Sequence, residues 1–127
     1  MSYVLHCHER VDFGVGRGLG RLIDVVDESG TPVEHFELMC AAIDSDVKGE
    51  SIVQWIEKVE SGELDSVEVD GNGWVIHLSK ETVFFEGLYG QGEGGAVSLE
   101  QFKFAVQTFL LFLADPSSGS IRIGFAT

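Results

Sequence analysis

Ser98-Leu99-Glu100-Gln101-Phe102-Lys103-Phe104-Ala105-Val106-Gln107-Thr108-Phe109-Leu110-Leu111-Phe112-Leu113-Ala114-Asp115-Pro116 is the stretch on which the fold turns. Its first four residues have the form of a capping box, in which the Ser hydroxyl and the Gln amide each cover a backbone N–H that the first helical turn leaves free. A helix is therefore predicted from Leu99 to about Ala114. It ends before Asp115-Pro116, because proline disfavours helical geometry in the residue ahead of it. From Phe104 onward only Gln107 and Thr108 are polar. A helix apolar on nearly all sides is surrounded by protein. It is either the central helix of the domain, packed on a sheet, or it also serves a dimer interface.

Upstream lies a hairpin. Val67 and Val69 alternate with Glu68 and Asp70, Asp70-Gly71-Asn72-Gly73 is turn chemistry, and Trp74, Ile76 and Leu78 alternate with Val75 and His77. Ser79-Lys80-Glu81 makes a second turn, and Thr82–Leu88 a third strand. Gly87, Gly90, Gly92, Gly94 and Gly95 break up the segment between that strand and the long helix. Before the hairpin, Gly49–Val59 reads as an amphipathic helix: Ile52, Val53, Ile56 and Val59 share one face, with Trp55 beside them, and Ser61-Gly62 supplies a stop. Val33–Ile43 admits strand or helix; its alternation favours a strand through Phe36–Ala42. Tyr3–His8 reads as a strand. Gly14, Gly16, Gly18 and Gly20 exclude a helix, at about 1 kcal/mol per Gly against Ala, and predict a loop or loose strand edge running into Leu19–Val26. Asp27–Pro32 is a turn, and Ile121–Phe125 a last short strand. The sum is one α+β domain over residues 1–127: an antiparallel β-sheet packed against a long apolar C-terminal helix and a shorter amphipathic helix.

The 127 residues fit one domain and can bury a real core. Twenty-one acidic residues against eight basic ones give a formal net charge of -13, where about 2–8 in magnitude is usual for a small domain. That excess argues against nucleic acid, whose phosphates need Lys and Arg, and against an anionic membrane surface. It favours either plain solubility or a cationic protein partner. No signal-peptide pattern opens the chain and no run reaches membrane-span length. Cys7 and Cys40 are too few for a disulfide scaffold. The expectation is a cytoplasmic protein with both thiols reduced.

Catalytic chemistry finds little support. His6-Cys7-His8 puts the two histidines on one strand face and Cys7 on the other, so a zinc site would need Cys40 or His35 to complete it. The Gly14–Gly20 run misses the dinucleotide register at Leu19 and Arg21, and no Gly-Lys-Ser/Thr follows it. There is no Gly-x-Ser-x-Gly elbow. The reading is a protein that is not an enzyme, with no metal and no cofactor. The acidic residues are more telling: Glu57, Glu60, Glu63, Asp65, Glu68 and Asp70 fall close together, with Lys58 alone to offset them, and Asp44, Asp46 and Glu50 precede the same helix. A charge run is usually a solvated face; the functional reading is a negative patch for a basic partner. Leu88 and Tyr89 are large residues in the glycine-rich loop that leads to Glu93, and Tyr is a frequent interface anchor. The candidate partner-binding residues are Asp46, Glu50, Glu57, Glu60, Glu68, Asp70, Tyr89 and Glu93.

The second half, from Asp65-Ser66-Val67-Glu68-Val69 through Trp74–Leu78, Thr82–Glu86 and the Ser98-Leu99-Glu100-Gln101-Phe102 helix, resembles small bacterial immunity proteins encoded beside contact-dependent inhibition and other polymorphic toxins. The resemblance covers about half the chain and implies a non-enzymatic, cytoplasmic inhibitor that binds a cognate toxin domain tightly. Many such toxins are basic nucleases, which fits the charge. The resemblance carries over no binding residue. The alternative is a small structural or regulatory module without catalytic activity, homodimeric through helix 99–114; the protein is thus expected as a monomer or a homodimer.

Overall fold

Strand alternation sets the first layer. Over residues 3–9 the buried residues are Leu5 and Cys7, while His6 and His8 turn to the other face and stay partly exposed. The structure, a computed structural model, describes residues 2–12, 17–115 and 119–126, and of residues 10–12 and 17–19 the backbone. Along these residues run β1 (Tyr3–Asp12), β2 (Arg17–Val26), a 3-10 turn (Glu34–Phe36), α1 (Glu37–Asp46), α2 (Ser51–Glu60), β3 (Ser66–Asp70), β4 (Trp74–Ser79), β5 (Val83–Gly87), β6 (Glu93–Val97), α3 (Leu99–Ala114) and β7 (Ser120–Phe125).

The protein is α+β, and its strands form two antiparallel sheets in place of the single one expected: a three-stranded sheet ordered β2-β1-β7 and a four-stranded sheet ordered β3-β4-β5-β6. Leu5, Cys7, Ile23 and Val25 line the inner face of the first; Trp74, Ile76, Leu78, Val83 and Phe85 line that of the second. One hydrophobic cluster joins both inner faces to all three helices. α1 lies against β2 on one side and β4, β5 and β6 on the other, α2 against β3, β4 and α3, and α3 against β1 and β7. No helix among the described residues is long and apolar enough to cross a membrane.

Two readings change. Residues 36–46 are helical, not extended. Phe36, Met39, Cys40 and Ile43 are buried at helical spacing, and Ala42 is buried beside them. The alternation misled because α1 has apolar contacts on two sides. The glycine-rich stretch after Gly92 contains β6, which pairs with β5. There Leu38 of α1 sits so close to Gly95 that an added Cβ would stand 3.0 Å from that of Leu38, and Gly95 has φ +61. Gly95 admits the helix; it does not mark a loop. Of the glycine run at residues 14–20, residues 13–16 lie outside the described residues, and Arg17–Gly20 opens β2.

The capping box of α3 is present as read: Gln101 N–H donates to Ser98 Oγ at 3.0 Å, and Ser98 N–H to Gln101 Oε1 at 2.9 Å. Pro116 lies outside the described residues. At the other end Arg21 donates to the Phe112 carbonyl at 3.0 Å, with its guanidinium over the Phe112 ring and its Nε 3.1 Å from Glu9. α3 is not wholly enclosed. Phe102, Ala105, Val106, Phe109 and Phe112 are buried, while Glu100, Gln107, Leu111 and Ala114 form a solvent-facing stripe. Phe102 packs on Phe85, ring centroids 5.7 Å apart, and links α3 to the four-stranded sheet. Phe102→Ala should therefore cost about 3–5 kcal/mol of unfolding free energy in urea titration, the usual range for a buried Phe.

Candidate functional site

The outer face of the four-stranded sheet follows from register. Because Val67 and Val69, Ile76 and Leu78, and Val83 and Phe85 turn inward, their neighbours turn out. Cross-strand pairing sets Glu68 beside His77 and His77 beside Phe84 in one row. The next row runs Asp70, Val75, Glu86, Glu93. Four carboxylates thus share one sheet face. The Phe84 ring shares this face on β5, two residues before Glu86 and 40 % exposed, and His77 stacks flat on it with centroids 4.2 Å apart and planes within 6°. His77 also bridges the rows' charges: its Nε2 is 3.0 Å from Glu86 Oε1 and its Nδ1 3.4 Å from Glu68 Oε1. A shallow depression of about 430 Å³ opens beside this group, lined by Ser66, Glu68, His77, Thr82 and Phe84 among others. At the end of the Asp70 row the β5–β6 turn carries Leu88 and Tyr89, the latter 79 % exposed. That turn is tied to the β3–β4 turn, since Leu88 N–H and Gln91 Nε2 both donate to the Gly73 carbonyl.

This face collects Glu68, Asp70 and Glu93 of the expected residues, with Tyr89 at its end. It adds Glu86, His77 and Phe84. The signal for these three was present in Val83-Phe84-Phe85-Glu86: once Phe85 is placed inward, Phe84 and Glu86 must face out. The remaining expected residues lie elsewhere. Glu50 precedes α2, and Glu57 is exposed on it; Glu60 holds α2 to α3 through Lys103 at 2.8 Å. Since α2 contacts β3 and β4 from the helix layer, none of the three joins the outer sheet face.

Asp46 has a role inside the fold. Its carboxylate accepts from Trp74 N–H at 2.9 Å, Gly73 N–H at 3.1 Å and Ser45 Oγ at 2.9 Å, which clips the end of α1 to the β3–β4 turn. Gly71 lies against the same carboxylate so closely that any side chain there would collide with it. Asp46→Ala leaves two backbone donors without an acceptor. It should lower stability by about 1–3 kcal/mol, with Asp46→Asn in between, in urea unfolding.

The histidines and cysteines are separated by the first sheet. His6 and His8 stack on its outer face at 4.5 Å, and His8 Nε2 is 2.7 Å from Asp24 Oδ2. Burial holds His6 below its ordinary value, with His8 and Arg122 acting the same way and Asp24 opposing. Cys7 and Cys40 are free and buried on the inner side. Burial pushes the Cys7 thiol up to about 12 and raises that of Cys40 as well, with Asp24 adding to both. Both behave as small core residues, not nucleophiles. Among the described residues, no group of three or more His, Cys, Asp or Glu is placed to hold a metal ion.

Asp44 on α1 stands against the edge of β2. Burial pushes its carboxyl up to about 7; the Ile23 N–H that it accepts draws it down, neighbouring Asp24 raises it and His8 lowers it. The folded chain therefore keeps a proton that the unfolded chain releases near 3.8. Stability from this group is full below that value and is lost as pH rises toward 7. Asp44→Asn should match the parent in thermal unfolding at pH 4 and exceed it at pH 8.

Comparison with known proteins finds no matching family model, no matching curated protein and no matching solved structure.

Proposed function

We propose that this chain is an immunity-type binding protein that neutralises a basic, nuclease-like toxin domain by tight protein–protein contact. The carrying observation is the outer face of the four-stranded sheet, where Glu68, Asp70, Glu86 and Glu93 share one face with the exposed Phe84 ring. An aromatic anchor on a face that also carries carboxylates matches a surface rich in Lys and Arg: the ring supplies a cation–π and apolar contact, and the charges steer approach. Tyr89 extends the same surface at its rim. The chain's net charge of -13 adds long-range attraction for such a partner and repels nucleic acid. In this reading the protein works in the cytoplasm, without a cofactor and without catalysing a reaction.

The second reading, a regulatory homodimer through the helix at 99–114, rests on Leu111, which is 68 % exposed on the solvent-facing stripe of α3. Sedimentation of the purified chain separates the two, since a monomer at high concentration removes the dimer.

Co-purification with the product of the adjacent reading frame tests the first reading, followed by stopped-flow association of that pair. Glu68→Lys with Glu86→Lys should slow association by about tenfold or more at low salt, with the difference shrinking as salt is raised. The Glu57→Lys control, off this face, should change the rate far less. Equal slowing by both would place the contact elsewhere.

A further inference from the structure

The outer edge of β2 is a second place where the fold leaves an unfilled surface. β2 is an outermost strand of the three-stranded sheet. Its free edge is covered by single groups: Val33 N–H donates to the Val25 carbonyl at 2.8 Å, and the Asp44 carboxylate accepts from Ile23 N–H. Between this edge and α1 runs a groove of about 310 Å³. Its floor is apolar, formed in part by Val25, Phe36 and Cys40, all buried. Its rim carries Asp24, Glu37 and Asp44. Among the described residues no lysine or arginine forms an ion pair with any of the three.

We propose that this groove binds an extended, basic segment of a partner protein, apolar side chains on the floor and a Lys or Arg head at the Asp44–Glu37 rim. Charge complementarity selects the occupant: an apolar floor with carboxylates alone on its rim favours a cation on an apolar stem and disfavours an anionic segment. A second copy is a poor fit, because two copies of so acidic a chain repel each other, with eight basic residues to twenty-one acidic in each. A groove that runs along a strand suits an extended chain, whose alternate side chains enter it. Asp44 fits the role of a plug. It blocks the edge when alone, and it gains a partner when a cation arrives. The groups that face Asp44 from the sheet are Asp24 and His8, and neither supplies a fixed positive charge. The surface belongs to the three-stranded sheet, so it stands or falls apart from the acidic face of the other sheet.

The test is a titration of the full chain with the peptide acetyl-Lys-Val-Lys-Val-Lys-amide, followed by amide chemical shifts. Saturable shifts should centre on Ile23–Val25 and Glu37–Asp44, and the same peptide with Glu for Lys should give none. Affinity should rise from pH 6 to pH 8 as Asp44 ionises. Asp44→Asn with Glu37→Gln should weaken binding by about tenfold and remove most of that pH dependence. Ala41→Lys, which places a cation in the groove, should compete with the peptide. Shifts confined to residues around Glu68 and Glu86, an absence of saturation, or unchanged affinity in the double variant would each overturn the proposal. A thermal unfolding curve for each variant shows that it is folded.

Discussion

α1 has to satisfy two sheets at once, and together with α3 it makes the core continuous. Its buried side chains meet β2 on one side, and on the other it reaches β4, β5 and β6. Without that helix each sheet would keep an apolar face open to water, at roughly 25 cal/mol for each Å² left exposed. Much of the local detail follows from seating it. Gly95 gives Leu38 room against β6. Asp46 clips the helix end to the β3–β4 turn, and Asp44 meets the edge of β2. Each is a polar or glycine position whose choice is dictated by close approach of backbone.

The same arrangement sorts the charges. With both inner faces given to the helix layer, ionisable side chains have the outer faces, the helix exteriors and the rims. On the four-stranded sheet this puts four carboxylates in adjacent rows. Like charges at that spacing disfavour each other, and His77, set between Glu68 and Glu86, is a cationic-capable group on hand among them. On the three-stranded sheet the charges are mixed: His6, His8 and Arg122 share the outer face with Asp24. The acidic excess is therefore unevenly expressed, although the chain total is large.

Several elements were legible because their signals are local. The capping box of α3, the Asp70–Gly73 turn, the amphipathic face of α2 and its stop at Gly62, which has φ +83, all depend on neighbours in sequence. The helix at 37–46 and the strand at 93–97 were not legible, for one shared reason. α1 is apolar on two sides because it touches two sheets, so its periodicity is blurred. β6 is glycine-rich because α1 lies on it, so its strand propensity is weak. The acidic cluster divided for a similar reason. Glu57 and Glu60 are near Glu68 and Asp70 in sequence, yet the turn through Gly62 sends one pair to the helix layer and the other to the outer sheet face.

By itself the sequence determined the fold class, the ends of the long helix, the hairpin and the sign of the surface, since each is set by interactions between residues a few positions apart or by a simple sum. The tertiary structure alone decided that the strands form two sheets, that Asp46 is a clip and Glu60 a tie to Lys103, and that Glu86 and Glu93 join Glu68 and Asp70 on the face that bears Phe84. Those outcomes depend on strand register and on which face each helix turns to which sheet. Such pairings join residues far apart in the chain, and no local pattern encodes them.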